Sequence, residues 1–285
     1  MVQVRELVER LGTTSALDKV AEPVAHQVTK IAGQGVLKDL LSGTWLGHPA
    51  HPMLTDVPIG AWTSAFLLDL LGGKRARPAA DRLVGLGVLA ALPTAAAGLS
   101  DWSDTYGPDR RIGLVHAGGN TAALACYSLS WLARRRGARA RGVALGMLGA
   151  AVASASAYLG GHLSFRRGVN VDRNAWEEPT RDWTTVAEAE SLKENEPQVV
   201  QLDGLNVLVL QRHGRIMAIA DRCGHAGGPL HEGKIDDRDC VTCPWHGSVF
   251  QLADGKVVHG PATGPQPAFE ARTVDGKLEL RRMPA

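Results

Sequence analysis

Hydrophobic and polar positions follow two different periods along this chain, and the change between them divides it. Near the N-terminus, Leu17, Val20, Val24, Val28 and Ile31 recur at helical spacing, with Lys19, Glu22 and Lys30 between them. This predicts an amphipathic helix lying against a membrane or a protein surface. Pro23 predicts a kink or a fresh start within it. Four apolar runs follow, at residues 54–72, 83–100, 112–133 and 142–163, and the last three contain no Asp, Glu, Lys or Arg. An uncharged run of about twenty residues matches a hydrocarbon core of about 30 Å. The runs are rich in Ala and Gly, and Gly142 and Gly146 form a G-x-x-x-G pair of the kind that lets helices approach closely in lipid. Pro93 is tolerable in a membrane helix. The rival architecture, an Ala-rich soluble bundle, lacks the charged faces it would need.

After residue 163 the pattern shortens. Residues 164–181 form a polar linker with Arg166, Arg167, Asn170, Asn174 and Pro179. Val199 to Leu202, Val207 to Leu210 and Ile216 to Ala220 are short β-type runs. Asp203-Gly204, His213-Gly214, Asp254-Gly255 and Asp275-Gly276 mark turns. The reading is α + β in two domains. An amphipathic segment (1–47) leads into a four-span membrane domain (48–163). The linker then leads to a small all-β domain (182–283).

Composition narrows the classes. The 285 residues carry a net charge of +2, too balanced for nucleic-acid binding. Residues 1–47 show no secretory signal pattern. Of the four cysteines, Cys126 sits in an apolar run and Cys240 in a strand-like stretch, and both are read as packing residues. No disulfide framework is indicated.

The stretch that carries chemistry is Cys223-Gly224-His225 and Cys243-Pro244-Trp245-His246. Two short Cys/His pairs can close on one metal centre, and a thiolate pair with an imidazole pair suits an iron–sulfur cluster. The alternative is zinc, but Cys₂His₂ fingers group Cys with Cys and His with His along the chain. The pattern resembles the Rieske [2Fe–2S] family. The resemblance extends to the first loop, Cys223 to Leu230, the second, Cys243 to Ser248, and a third, Gly260-Pro261-Ala262-Thr263-Gly264-Pro265, similar to that family's proline loop. It implies one [2Fe–2S] cluster, with Cys223 and Cys243 on one iron and His225 and His246 on the other. Gly228 and Trp245 stand where the quinol-oxidising branch has disulfide cysteines, and Phe250 where that branch has a Tyr. The resemblance is therefore to the ferredoxin and oxygenase branch, with a potential toward the low end of about −150 to +300 mV. It further implies that His225 and His246 form the electron exit and couple reduction to imidazole protonation. The large mononuclear-iron domain of a complete Rieske oxygenase is not expected here. His213, His231 and His259 fall outside the ligand pattern and are read as structural.

The stretch His48 to Gly60, with its H-P-x₅-P pattern from His51 to Pro58, and Gly160-Gly161-His162 resemble an uncharacterised bacterial four-helix membrane family. That supplies architecture and no chemistry. Basic residues cluster after the first run (Lys74, Arg75, Arg77, Arg82) and after the third (Arg134, Arg135, Arg136, Arg139, Arg141). These connectors are expected in the cytoplasm, which places the cluster domain of this multi-pass cell-membrane protein outside it. A domain loaded with its cluster would then cross folded, as by the twin-arginine route; Arg134-Arg135-Arg136 is otherwise a plain basic loop. Helix parity puts His48, His51, His116 and His162 near one face. They are candidates for a second redox site holding haem b or quinone, against the simpler reading that His51 and His116 cap helices or bond across the bundle. The expected function is one-electron transfer at the membrane surface between redox donor and acceptor proteins. The alternatives are a quinol-linked oxidoreductase subunit and a redox or iron sensor.

Overall fold

The computed structural model describes residues 4–283. It forms two compact units. One holds the described residues up to Gly33 together with Pro49–Val169; the other holds Gln34–His48 together with the described residues from Asn170.

The first unit is helical. It contains α1 (Val4–Thr13), α2 (Asp18–Ala32), α4 (Ala50–Leu71), α5 (Gly73–Ser103), α6 (Gly107–Arg135) and α7 (Arg139–Gly161), while α3 (Gly35–Ser42) belongs to the second unit. The helix around Pro23 runs unbroken from Asp18 to Ala32, so the expected break is absent. The faces of α2 differ from a simple core-facing reading. Ala21, Ala25 and Ala32 are buried, whereas Val20, Val24 and Ile31 are exposed. Small residues permit close approach, and the large apolar stripe is left outward. Arg111 holds this helix by a bidentate pair of bonds to Asp18, 2.7 and 2.6 Å, and Arg110 pairs with Glu22.

Among the described residues, three helices are long and apolar enough to cross a membrane: α4, α5, and α7 extended through a π-type turn, His162–Arg166. The expectation of four such helices is not met by α6. Its Asn120, Thr121, Ser128 and Ser130, with Gly113, Gly118 and Gly119, lower its mean hydropathy without adding a charge.

The hairpins α4–α5 and α6–α7 repeat one another. His51, Trp62 and Asp69 of α4 are offset from His116, Tyr127 and Arg134 of α6 by one constant interval. Gly87, Thr94 and Gly98 of α5 are offset from Gly149, Ser156 and Gly160 of α7 by another. The contacts repeat as well. A Cβ on Gly87 would strike Trp62 and one on Gly149 would crowd Tyr127. Trp62 and Tyr127 stack on each other with centroids 3.9 Å apart. Two turns further on Arg134 meets Asp69, and Arg139 and Asp81 complete a network of two cations and two anions.

The second unit is built on antiparallel β structure. Its six-stranded sheet has the order β1 (Thr184–Glu188), β10 (Lys277–Arg282), β9 (Ala268–Val274), β4 (Arg215–Ala220), β3 (Leu205–Arg212), β2 (Pro197–Leu202). The turn dipeptides close its hairpins as expected. Leu202 pairs with Leu205 across Asp203-Gly204, and Arg212 with Arg215 across His213-Gly214. Each dipeptide has two positive φ values, +50 and +81°, then +53 and +70°, which is the twist a two-residue hairpin requires. The central strand β3 is buried on both faces. Leu208 and Leu210 join one core with Met217, Ile219 and Phe250, and Val207 and Val209 join the other with Phe269, Leu278 and Leu280. The first core leads to a four-stranded sheet, β5 (Lys234–Ile235), β6 (Cys240–Thr242), β7 (Val249–Gln251) and β8 (Val257–His259), which carries one of the two loops of the candidate site.

Candidate metal centre

Two loops with the same internal bonding approach each other at the tip of the second unit. In the first, Cys223 N–H donates to the Gly228 carbonyl (2.9 Å) and Gly227 N–H to the Cys223 carbonyl (2.8 Å). In the second, Cys243 N–H donates to Ser248 (2.8 Å) and Gly247 N–H to Cys243 (3.1 Å). Gly227 and Gly247 have φ of +89 and +77°, the left-handed turn that a side chain would oppose. The chain thus makes one loop twice, from the end of β4 and from the β6–β7 connection.

These loops bring together the four residues singled out in the sequence. Cys223 and Cys243 are buried in one apolar cluster with Leu230, Phe250, Leu252 and Ala262. Their thiols hydrogen-bond to each other; this contact and then burial push the Cys223 thiol up, while the same contact draws Cys243 down to about 7. The rings of His225 and His246 stand edge to face, with centroids 4.9 Å apart. Burial, followed by the nearby charges of His246, Lys38 and Arg173, pushes the His225 imidazole down to about 3. The donors form two pairs, thiol beside thiol and imidazole beside imidazole. That division suits a two-iron centre with chemically distinct ends. Gly228 is required by the same closeness: a Cβ there would lie 2.9 Å from Cys243 Sγ and 3.0 Å from Trp245 Cγ. The third loop packs onto the second, with Ala262 N–H donating to Ser248 Oγ (3.0 Å).

The remaining histidines and cysteines of this unit have other partners. His231 bonds to Asp221 through both its backbone N–H and Nδ1, each at 2.8 Å. His213 is an exposed turn residue. Cys240 lies in β6 with its thiol against Gln251 Oε1 at 3.2 Å, and burial raises it.

Sequence reading missed two segments at the site. Residues 170–181, read as linker, bond to the first ligand loop: Arg173 N–H donates to the Gly224 carbonyl (2.8 Å), and the Asn174 amide to the Arg222 carbonyl (2.9 Å). Residues 34–48, read as part of the N-terminal segment, reach the third loop. Asp39 accepts from Gly260 N–H (2.7 Å) and meets His259 Nδ1 (2.9 Å), and Thr44 Oγ donates to the Ala262 carbonyl (3.2 Å). In this segment Lys38 is fully buried while Val36, Leu37 and Leu40 face outward.

In the helical unit, His51 Nδ1 lies 2.9 Å from the Thr94 carbonyl and His116 Nδ1 2.8 Å from that of Ser156. Asn120 Nδ2 is 3.1 Å from His116 Nε2. His162 lies at the end of α7, and His48 falls in the other unit.

Residues 182–270 match the Rieske [2Fe-2S] domain, and residues 47–173 match a predicted membrane protein family of unknown function, DUF2231. A human Rieske domain-containing protein is 30% identical over 118 residues, covering 40% of this chain and 75% of the relative. The 3-phenylpropionate/cinnamic acid dioxygenase ferredoxin subunit of Photorhabdus laumondii is 32% identical over 75 residues, covering 26% of this chain and 71% of that one. Among solved structures, the ferredoxin of carbazole 1,9a-dioxygenase from Nocardioides aromaticivorans IC177 is 24% identical, covering 35% of this chain and 98% of that one, with a TM-score of 0.34.

Proposed function

Because this chain belongs to the Rieske [2Fe–2S] family and carries a predicted membrane domain ahead of that fold, we propose that it is a membrane-anchored one-electron carrier, in which Cys223 and Cys243 hold one iron and His225 and His246 the other. The observation that carries this reading is the convergence of the two like-folded loops, which sorts the donors into a thiol pair and an imidazole pair. The bound cluster supplies a one-electron couple. The chain's own residues set its surroundings. Phe250, Leu230 and Ala262 keep water from the sulfur end, and the absence of a hydroxyl at position 250 favours a low potential. The relatives named as dioxygenase ferredoxin subunits support a redox donor and a redox acceptor as partners. The test is the electron paramagnetic resonance spectrum of the dithionite-reduced full chain purified from membranes. A low-average-g signal is expected, and an iron-free or zinc-loaded protein overturns the reading.

The membrane domain is read as four spans, α4 to α7. Support for α6 comes from its pairing along the whole of α7, from His116 on Ser156 at one end to Ser130 on Gly142 (2.6 Å) at the other. A helix matched end to end with a spanning helix covers the same thickness. Lys74, Arg75, Arg77, Arg82, Arg135, Arg136 and Arg141 are exposed at one end, and the bias assigns that end to the cytoplasm and the Rieske domain to the opposite side. Membrane-impermeant thiol labelling of intact cells should miss cysteines introduced at 135–138 and reach those introduced at 104–106. The reverse pattern moves the Rieske domain and its partners into the cytoplasm.

A second reading, a haem or quinone site in the bundle, draws on one observation. His51 and His116 occupy equivalent positions of the repeat, each with Nδ1 on a carbonyl of the next helix, the outer bond that orients a metal-ligating imidazole. On this reading His51→Ala or His116→Ala slows cluster reduction in quinol-supplied membranes at unchanged cluster content. Unchanged rates, with no haem absorbance in the parent protein, leave the bundle as an anchor.

A further inference from the structure

Helix α3 is inside out for a helix in water. Its charged residues turn inward: Lys38 is fully buried, and Asp39 accepts from Gly260 N–H and meets His259 Nδ1. Three of its large apolar residues turn the other way. Val36 and Leu37 stand four and three residues before Leu40, on one face of the helix. All three are exposed, Val36 by 80%. Trp45, in the turn that follows, folds back toward them. Its Nε1–H donates to the Leu40 carbonyl (3.2 Å), and its ring remains 62% exposed.

The size and chemistry of this face favour lipid as what covers it. Four side chains offer on the order of a few hundred Å², well under the ~800 Å² that each partner gives to a standard protein interface. A bilayer surface sets no such minimum. Interfacial binding scales with the apolar area inserted, and a tethered face returns at high effective concentration. Here the tether is short. Residues 43–49 join α3 to α4, a helix long and apolar enough to cross a membrane. That connection reaches at most about 30 Å when fully extended. Trp45 also suits the boundary, since tryptophan is enriched where membrane meets water. Its N–H is already bonded within the chain, so the ring can enter an apolar layer without stranding a donor.

We propose that the outer face of α3, made of Val36, Leu37 and Leu40 with Trp45, inserts into the headgroup and acyl boundary of the bilayer and seats the Rieske unit on the membrane. The inner side of the same segment holds the third loop, through Asp39 on Gly260 N–H and Thr44 on the Ala262 carbonyl. That loop in turn packs on the ligand loop of Cys243 and His246. A seat at α3 therefore fixes the height of the centre above the lipid, with the third loop about one helix diameter, ~10 Å, from the boundary. The seat rests on the reading that the chain is anchored in a membrane.

The test is the access of a nitroxide spin label to oxygen, which concentrates in lipid, and to a water-soluble nickel chelate. It is read by electron paramagnetic resonance on the full chain with its cluster, in nanodiscs of phosphatidylcholine and phosphatidylglycerol. Labels are attached through Leu37→Cys or Leu40→Cys. His213→Cys, in an exposed hairpin turn, and Leu89→Cys, on the exposed side of α5, are the references. All carry Cys126→Ala, because the other native cysteines are buried. The oxygen-to-nickel ratio at positions 37 and 40 is expected to exceed that at 213 by about threefold or more, as for a face ~5–10 Å into the boundary. A ratio equal to that at 213 overturns the seat. So does a label shielded from both reagents, which marks a protein contact, with spin–spin broadening where the contact is a second copy. Should one of the two labels prevent folding, the other decides. A Leu89→Cys label that reports water has a separate meaning: the membrane reading itself fails, and the seat falls with it.

Discussion

Replacing Cys243 with serine, or His246 with alanine, abolishes the low-average-g resonance of the reduced protein and its bound iron, and Cys223 and His225 variants do the same. Cys243 sits between a thiol partner and a backbone turn that fixes its direction, so no neighbouring side chain can take its place. The thiolate is the metal ligand, and the lowered Cys243 thiol favours that form near neutrality. Cys240→Ser is the control. It removes a thiol from the same small sheet, but one that points at Gln251, and its cluster content stays at the parent level. Iron and sulfide analysis alongside the spectrum distinguishes loss of the cluster from a change in its magnetism. Full cluster content in Cys243→Ser or His246→Ala sinks the assignment.

Arg134→Ala destabilises the helical unit by about 3 kcal/mol or more, the usual result of leaving a buried charge without its partner. Arg134 and Asp69 are almost wholly shielded, with side-chain exposures of 1 and 6%. The guanidinium also bonds Asp81 (2.9 Å) and Ser130 Oγ (3.1 Å). Removing it leaves Arg139 facing two carboxylates. The double variant Asp69→Leu, Arg134→Met recovers most of the loss, because Arg139 and Asp81 then remain as one pair. Thermal unfolding in detergent, followed for the parent and both variants, measures the loss and its recovery. A single variant as stable as the parent shows that the network contributes nothing net, as surface pairs often do.

These two sites differ in how much of them the sequence displayed. The ligand loops are local. Each draws its Cys and His from four residues or fewer, and its return turn uses a glycine within the same loop, Gly227 or Gly247, so order along the chain specifies most of the chemistry. Hairpins closed by Asp203-Gly204 and His213-Gly214 are local for the same reason. The apolar runs likewise announce helices, since a run without charges has few other ways to satisfy its backbone.

Partnership between distant segments could not be read in this way. Whether Arg134 is a loop charge, as in a basic connector, or the buried partner of Asp69 depends on which helices meet, and no spacing along the chain encodes that. The equivalence of His51 with His116 emerged only when the contacts of α4 with α5 were seen to recur in α6 with α7. Lys38 is the clearest case. By sequence it is a polar residue in a short apolar helix, where a cation belongs on the outer face. Tertiary structure turns that helix over, burying the charge and exposing Val36, Leu37 and Leu40, because Asp39 and Thr44 bind the third loop and leave α3 no other way to face. The sequence by itself determined a helical N-terminal region, a β-rich C-terminal domain and the two Cys/His pairs. The tertiary structure alone decided which charges surround them, because electrostatic neighbours are set by packing between segments and not by order along the chain.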